Sequence, residues 1–245
     1  MTAVEVSIII PVVNGGAFVE KTVDAVLSWL AAQNFSSELI MVNDGSTDAT
    51  GELLKKPLST NPNYRVVTIP HNKGKGAALR SGLRIATGRF QAYTDADLPY
   101  GIEILAGMLL VFQGDSELAL VYGSRSHSAS HEKRGYGFMR TLGRTFFSHL
   151  TRLLVIPDVP DTQCGIKMFR RDVGALIDRH SRINRFAFDI ELFTIVKNNC
   201  LKYQDFPVEL NNRKESSVRL IKDTAQMIID MLRIKWKAWR GEYTK

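Results

Sequence analysis

The chain has 245 residues, 44% of them hydrophobic and 23% charged, with a formal net charge of +7. Such values suit a soluble globular protein of one α/β domain or two small ones, with a sizeable core and a preference for anionic partners. Two cysteines in different segments, Cys164 and Cys200, exclude a disulfide framework and a zinc-site spacing, and suit a reducing compartment. The N-terminal residues lack the charged start and long apolar run of a signal peptide. No stretch of about 18 uninterrupted apolar residues predicts a transmembrane helix.

In chain order, Val6 to Val13 is an apolar run broken by Ser7 and Pro11, the pattern of a buried parallel strand. Asn14-Gly15-Gly16 is its turn, and Phe18, Val23, Val26, Leu27 and Leu30 recur at helical spacing. Leu39 to Val42 is a second strand, followed by a polar turn and a helix cap at Asn43 to Asp48. Tyr64 to Ile69 is a third strand, and a Lys/Gly loop leads into a helix over Ala77 to Ala86. Phe90 to Thr94, Ile102 to Phe112 and Leu118 to Tyr122 follow as strand, helix and strand. This alternation predicts a doubly wound, mostly parallel α/β sheet whose polar turns gather on one edge.

The second half is less regular. Ser124 to Gly137 reads as a mobile loop, Met139 to Leu154 as a helix, and Asp161 to Phe169 as a turn plus a short strand. Phe186 to Val196 enters a helix, Tyr203 to Leu210 is a late strand, and Leu220 to Trp239 is a final helix. With no repeat or linker, residues 1–245 form one expected domain. On the last helix Ile221, Ala225, Ile228, Leu232, Trp236 and Trp239 make an apolar stripe, with Arg233, Lys235, Lys237 and Arg240 beside it. The stripe suits either a membrane surface or packing against protein.

Chemistry concentrates at Asp95-Ala96-Asp97, two carboxylates at a strand end. Their mutual repulsion is costly unless a cation relieves it. Mg²⁺ or Mn²⁺ would do so, taking its remaining ligands from water and a substrate diphosphate; a surface turn is the plainer alternative. Asp44 in its turn offers a carboxylate to a nucleotide base or ribose, or simply shapes the turn. Lys73-Gly74-Lys75-Gly76-Ala77 places lysines and glycines at a helix start, where phosphate is favoured, but lacks P-loop spacing. Arg125 after a strand, and Arg134 in the following loop, suit bidentate phosphate binding. His127 and His131 lack the further ligands a zinc site needs. Asp189 opens a helix, either as a cap or as a site residue. No serine-nucleophile motif is present, and Cys164 has no histidine near it in sequence.

Together these residues resemble glycosyltransferase family 2, the inverting nucleotide-sugar transferases of GT-A fold, over nearly the whole chain. The landmarks are Ile10-Pro11, Val42 to Asp48, Asn72 to Gly76 and Asp95-Ala96-Asp97. Gly123-Ser124-Arg125, Asp161 to Phe169, Arg185 to Glu191 and Pro207-Val208-Glu209 resemble its dolichyl-phosphate glucosyltransferase branch, and next the mannosyltransferase branch. The resemblance implies a nucleotide-sugar-binding half (1–123), an acceptor half (124–218) and an amphipathic C-terminal helix (219–245). It implies Pro11, Val13, Asp44, Lys75, Asp95, Ala96 and Asp97 around the nucleotide sugar, with Asp97 and Asp95 at the metal. Arg125 and Arg134 would meet the acceptor phosphate, and Asp97, Asp189 and Arg125 would carry catalysis. Two departures stand out. Relatives commonly end the first strand Tyr-Asn-Glu, where this chain has Val13-Asn14-Gly15. Mannosyltransferase relatives often carry a metal-binding Gln where this chain has Pro99, which weakens the mannosyl reading.

The expected reaction is hexose transfer, with inversion, from a nucleotide diphosphate sugar to a polyprenyl phosphate. UDP-glucose is the favoured donor and GDP-mannose the second. Alternatives are a sugar-hydroxyl acceptor in polysaccharide synthesis, with Asp189 or Asp161 as base, and a non-catalytic nucleotide-sugar-binding protein. A nucleotidyltransferase would want a basic loop after the first strand, and Asn14-Gly15-Gly16-Ala17 has none. No nucleic-acid partner is expected, because the basic residues form no recognisable module. Eukaryotic glucosyltransferases of this kind carry an N-terminal membrane helix, whereas this chain opens on the first strand. A prokaryotic or otherwise soluble relative is therefore expected, cytoplasmic or peripheral on the cytoplasmic face of the membrane.

Overall fold

The computed structural model describes residues 4–127, 129–132, 151, 155–210 and 220–244, the side chains of 131, 132 and 220–225 excepted. Seven strands form one sheet. They are β1 (Val6–Val12), β2 (Ser37–Asp44), β3 (Tyr64–Ile69), β4 (Phe90–Tyr93), β5 (Leu118–Ser124), β7 (Lys167–Arg170) and β8 (Lys202–Pro207), in the order β3-β2-β1-β4-β7-β5-β8. All neighbours are parallel except around β7, which runs antiparallel to both β4 and β5. β6 (His131–Glu132) and β9 (Glu209–Leu210) make a separate two-stranded parallel pair.

The central strands are mostly apolar because both of their faces are covered. Ile9, Ile40 and Val42 point into a core shared with α3 (Lys75–Leu83), α5 (Arg171–His180), α6 (Phe188–Asn198) and α7 (Leu220–Trp239). Ile8, Ile10, Leu39 and Met41 point the other way, toward α1 (Val19–Ala31) and α4 (Ile104–Gly114). This is the expected mostly parallel α/β architecture, with five differences in detail. Helix α5 has no counterpart in the sequence reading. It follows β7 without a loop and buries only a narrow stripe, Val173, Leu176 and Ile177, on a largely polar helix. Helix α2 is a single turn, Thr50–Leu53. The late strand divides at Val208, where the chain leaves the main sheet.

The fourth difference lies in the Ser124 to Gly137 segment, expected to be a mobile loop. Its first part folds back instead: the Ser130 hydroxyl donates to Ser124 O (2.6 Å) and accepts from Val208 N (3.0 Å). The remainder of that segment, including Arg134, and most of the helix expected over Met139 to Leu154 lie outside the described residues. Fifth, the stripe on α7 is rotated. Met231 and Ile234 are fully buried, with Ile228 packed against the same core, while Ile229, Leu232, Trp236 and Trp239 are exposed. Ile221 and Ala225 belong to the undescribed side chains.

A buried carboxylate closes the edge where the parallel strands begin. Glu38 Oε1 accepts hydrogen bonds from the Ser7 hydroxyl (2.6 Å), Thr87 N (2.7 Å) and the Thr87 hydroxyl (2.8 Å), while Arg65 Nη2 stands 3.3 Å from Oε2. One side chain thus ties β1, β2, β3 and the turn before β4. Deleting it strands several buried donors, so Glu38→Ala is expected to lower unfolding free energy by about 2–4 kcal/mol in urea denaturation, with donor binding at the opposite edge unchanged.

Candidate active site

The turns at the C-terminal ends of β1 to β4 interlock. Asn14, at φ 51°, donates its backbone N–H to the Ser46 hydroxyl (2.9 Å) and accepts from Thr47 N at Oδ1 (2.9 Å). Gly16 N donates to Asp48 Oδ2 (2.9 Å), so Asp48 shapes the turn that follows β1. Val13 stands exposed just past the end of β1, and Pro11 lies opposite Val42 within the sheet.

Asp44 takes the turn-shaping alternative at least in part. Its two carboxylate oxygens accept from Lys73 N and Gly74 N, both at 2.8 Å. Gly76 N and Ala77 N donate to Asn184 O (2.8 and 3.3 Å). Four amides of the Lys73 to Ala77 stretch are therefore engaged by the protein itself, which corrects the expectation of a phosphate-cradling backbone there. The glycines serve close packing instead: a Cβ on Gly74 would stand 2.5 Å from Asn184 O, and one on Gly76 2.5 Å from Ile183 O. What the loop presents is the Lys75 side chain.

Lys75 Nζ lies 2.7 Å from Asp95 Oδ1. It sets one cation against the first carboxylate of the pair past the end of β4. Burial acts against its charge, but Asp95 and then Asp189 outweigh this and push its pKa up. Asp97, two residues on, is half-buried, and Ala96 is held by the Thr22 hydroxyl donating to its carbonyl (2.7 Å). Asp95 needs the neighbouring Gly165, where a Cβ would stand 1.9 Å from Oδ2.

Asp189 does not cap its helix; α6 begins at Phe188 without a side-chain cap. It is buried instead, and its Oδ1 accepts from Lys167 Nζ (2.6 Å) and from the Tyr93 hydroxyl. Burial alone would raise the Asp189 pKa, but Lys167 and then Lys75 overcome it and hold the carboxyl below its usual range. Burial, reinforced by Asp189, keeps Tyr93 protonated as a donor. Lys167 is fully buried and also donates to Thr162 O (3.2 Å) and Cys164 O (2.8 Å). Both lysine ammoniums lie over the Tyr93 ring, at 5.6 and 5.3 Å from its centre.

Arg125 forks onto Asp161, Nε to Oδ2 and Nη2 to Oδ1, both at 2.7 Å, and its backbone N–H also donates to Oδ2 (3.0 Å). Burial opposes ionisation of Asp161, but Arg125 prevails and lowers its pKa. Burial pushes the Cys164 thiol up to about 11, so it is no nucleophile at neutral pH.

The structure thus brings Lys75, Asp95, Ala96, Asp97 and Asp189 to one edge, with Arg125 just past the end of β5. Sequence reasoning missed Lys167, Tyr93 and Gly165 as partners of these residues. The signal available for Lys167 was a lysine opening a strand that is otherwise buried. The donor chemistry fits a hard divalent cation: two carboxylates on one turn, one of them cradled against a glycine. Among the described residues, no group of three or more acidic, histidine or cysteine side chains comes together to hold a metal alone.

Lys167→Met is expected to leave Asp189 buried without its main partner. We expect a loss of about 3–5 kcal/mol of stability by denaturation, and in folded protein at low temperature a fall in turnover that Asp189→Asn does not deepen.

A family model described as Glycosyl transferase family 2 matches residues 7–175. A dolichyl-phosphate beta-glucosyltransferase of Trichomonas vaginalis is 30% identical, over 94% of this chain and 73% of its own. The dolichyl-phosphate beta-glucosyltransferase of Homo sapiens is 28% identical, over 98% of this chain and 79% of its own. In fold, the chain is similar to glucosyl-3-phosphoglycerate synthase from Mycobacterium tuberculosis, solved with Mn²⁺, UDP and glucosyl-3-phosphoglycerate. There the TM-score is 0.69 at 18% identity, covering 94% of this chain and 79% of the other.

Proposed function

The chain belongs to glycosyltransferase family 2, and from that premise we propose that it moves glucose from UDP-glucose to a polyprenyl phosphate of dolichyl type, with inversion at the transferred carbon. The observation that carries the acceptor reading is the state of its two candidate bases. Asp161 and Asp189 are each held by a cation below the usual carboxylate range. Such carboxylates are poor bases, and a sugar-hydroxyl acceptor would need a good one. A phosphate monoester is already ionised at neutral pH and needs only to be positioned. The names of the relatives support the same acceptor and the same sugar.

In this reading Asp97 and Asp95 would hold Mg²⁺ or Mn²⁺ together with the donor diphosphate. The metal, when bound, stabilises charge on the departing diphosphate. Lys75 lies at the same carboxylate and adds a positive charge to that end of the site. Asp44 holds the Lys73–Gly74 turn, and with Pro11 and Val13 it is assigned to the nucleotide from the resemblance alone. The fork to Asp161 uses Arg125 Nε and Nη2, and Nη1 is assigned to the acceptor phosphate. Arg134 is assigned to the same phosphate, from the resemblance alone. Asp189, fixed by Lys167 and Tyr93, presents a stationary negative charge near the donor sugar.

Incubation with UDP-glucose, Mn²⁺ and polyprenyl phosphate should give a glucosyl-phosphoryl-polyprenol detectable by mass spectrometry, with GDP-mannose used about ten-fold or more less well. Asp97→Asn should reduce turnover by about a hundred-fold with the melting temperature nearly unchanged. Glucose transfer to a sugar hydroxyl, with the lipid phosphate ignored, would overturn the acceptor reading.

A further inference from the structure

Helix α7 is apolar on two opposite faces. Its inner face, Met231 and Ile234, is buried in the core, and the tail behind it is pinned. The Tyr243 hydroxyl donates to Glu191 Oε1 (2.8 Å), Asn199 Nδ2 donates to Tyr243 O (2.6 Å), and His180 Nδ1 meets Glu242 O (2.9 Å). The helix therefore cannot roll to bury its other side. That outer side carries Ile229, Leu232, Trp236 and Trp239, spaced three, four and three residues apart on one face. All four are exposed, Trp239 to 83%. At 1.5 Å per residue they form a ridge about 15 Å long.

Basic residues border this ridge. Arg233 and Arg240 lie along one side and Lys235 along the other, with Lys237 beyond Arg240. Asp230 and Glu242 neutralise part of the charge, at 3.3 Å from Arg233, 3.2 Å from Lys237 and 3.3 Å from Arg240. From 229 to 242 four basic residues stand against two acidic ones. The Arg240 guanidinium also lies 4.5 Å from the centre of the Trp236 ring, which orients that ring beside a cation.

We propose that this ridge is a docking surface for an anionic lipid bilayer, on which the helix lies in the plane of the headgroups. Two tryptophans beside arginines and lysines match the headgroup layer, where an amphipathic ring meets both apolar chains and water. The cationic border is complementary to an anionic leaflet. A second copy of the chain fits less well. A two-fold contact across the ridge would set the same arginines and lysines of both copies against one another. The inference stands on α7 and not on the reaction assigned above, although a lipid acceptor would be met at the same surface.

The test is co-sedimentation of the full chain with phosphatidylcholine vesicles, with and without phosphatidylserine, at low and high salt. The full chain should pellet with the anionic vesicles at low salt and be released by salt. The double variant Trp236→Ser/Trp239→Ser should bind them about ten-fold or more weakly, with its circular dichroism and its UDP-induced thermal shift unchanged. Arg233→Glu/Lys235→Glu should lose binding to anionic vesicles in the same way. Failure of the full chain to bind, or equal binding by both variants, would overturn the proposal. So would sedimentation velocity showing a lipid-free dimer that the tryptophan variant abolishes. Vesicle binding without glucose transfer would leave the docking surface standing and remove the reaction instead.

Discussion

Negative charge at the ends of buried strands is the constraint on which the rest of this molecule depends. Asp95, Asp97 and Asp189 lie within one small region, and Asp189 is almost fully out of water. Uncompensated, such a cluster would protonate or unfold the site. Two lysines answer it. Lys75 meets Asp95 and is within electrostatic reach of Asp189, and Lys167 meets Asp189 directly. Tyr93 lies between them and donates to the same carboxylate. Each lysine arrives on a different element, one from the start of α3 and one from β7, so the charge balance also fixes how those elements sit.

The same economy governs the backbone. Asp44 and Asn184 occupy amides that a phosphate would otherwise use, which makes the β3–α3 turn rigid. What this turn presents at the edge is consequently a side chain, Lys75, paired with Asp95. At the opposite edge Glu38 plays a structural part with comparable burial, its Oε1 taking three hydrogen bonds and its Oε2 facing Arg65. The two edges differ in what their carboxylates satisfy. One closes on the protein itself, and the other leaves Asp95 and Asp97 partly accessible to a ligand.

Much of this was legible in the residues. Continuous apolar runs announced the central strands, because strands buried on both faces have no polar side. Asp95-Ala96-Asp97 announced an edge where charge has to be balanced, because paired carboxylates are costly without a cation. Helix α5 was illegible because its buried stripe is narrow and no turn separates it from β7. The true outer face of α7 was misread because both of its sides are apolar, and only packing reveals which one the core takes. Lys167 lies within the Asp161 to Phe169 stretch, but its role is invisible in sequence, since partners 22 residues apart meet only once β7 and α6 are placed. The lysine–glycine loop looked like a phosphate cradle because sequence cannot reveal which carbonyls and carboxylates already occupy its amides.

The central claim is that Asp95 and Asp97 make half of a metal site, which the donor diphosphate completes. Manganese binding followed by electron paramagnetic resonance tests it most directly. With the full chain and Mn²⁺ alone, binding should be weak, because the protein supplies few oxygen donors and a lysine already sits at one of them. Adding UDP should tighten it about a hundred-fold or more, and Asp97→Asn should abolish that gain. Tight Mn²⁺ binding in the absence of nucleotide, or a gain with UDP that survives Asp97→Asn, would contradict the account.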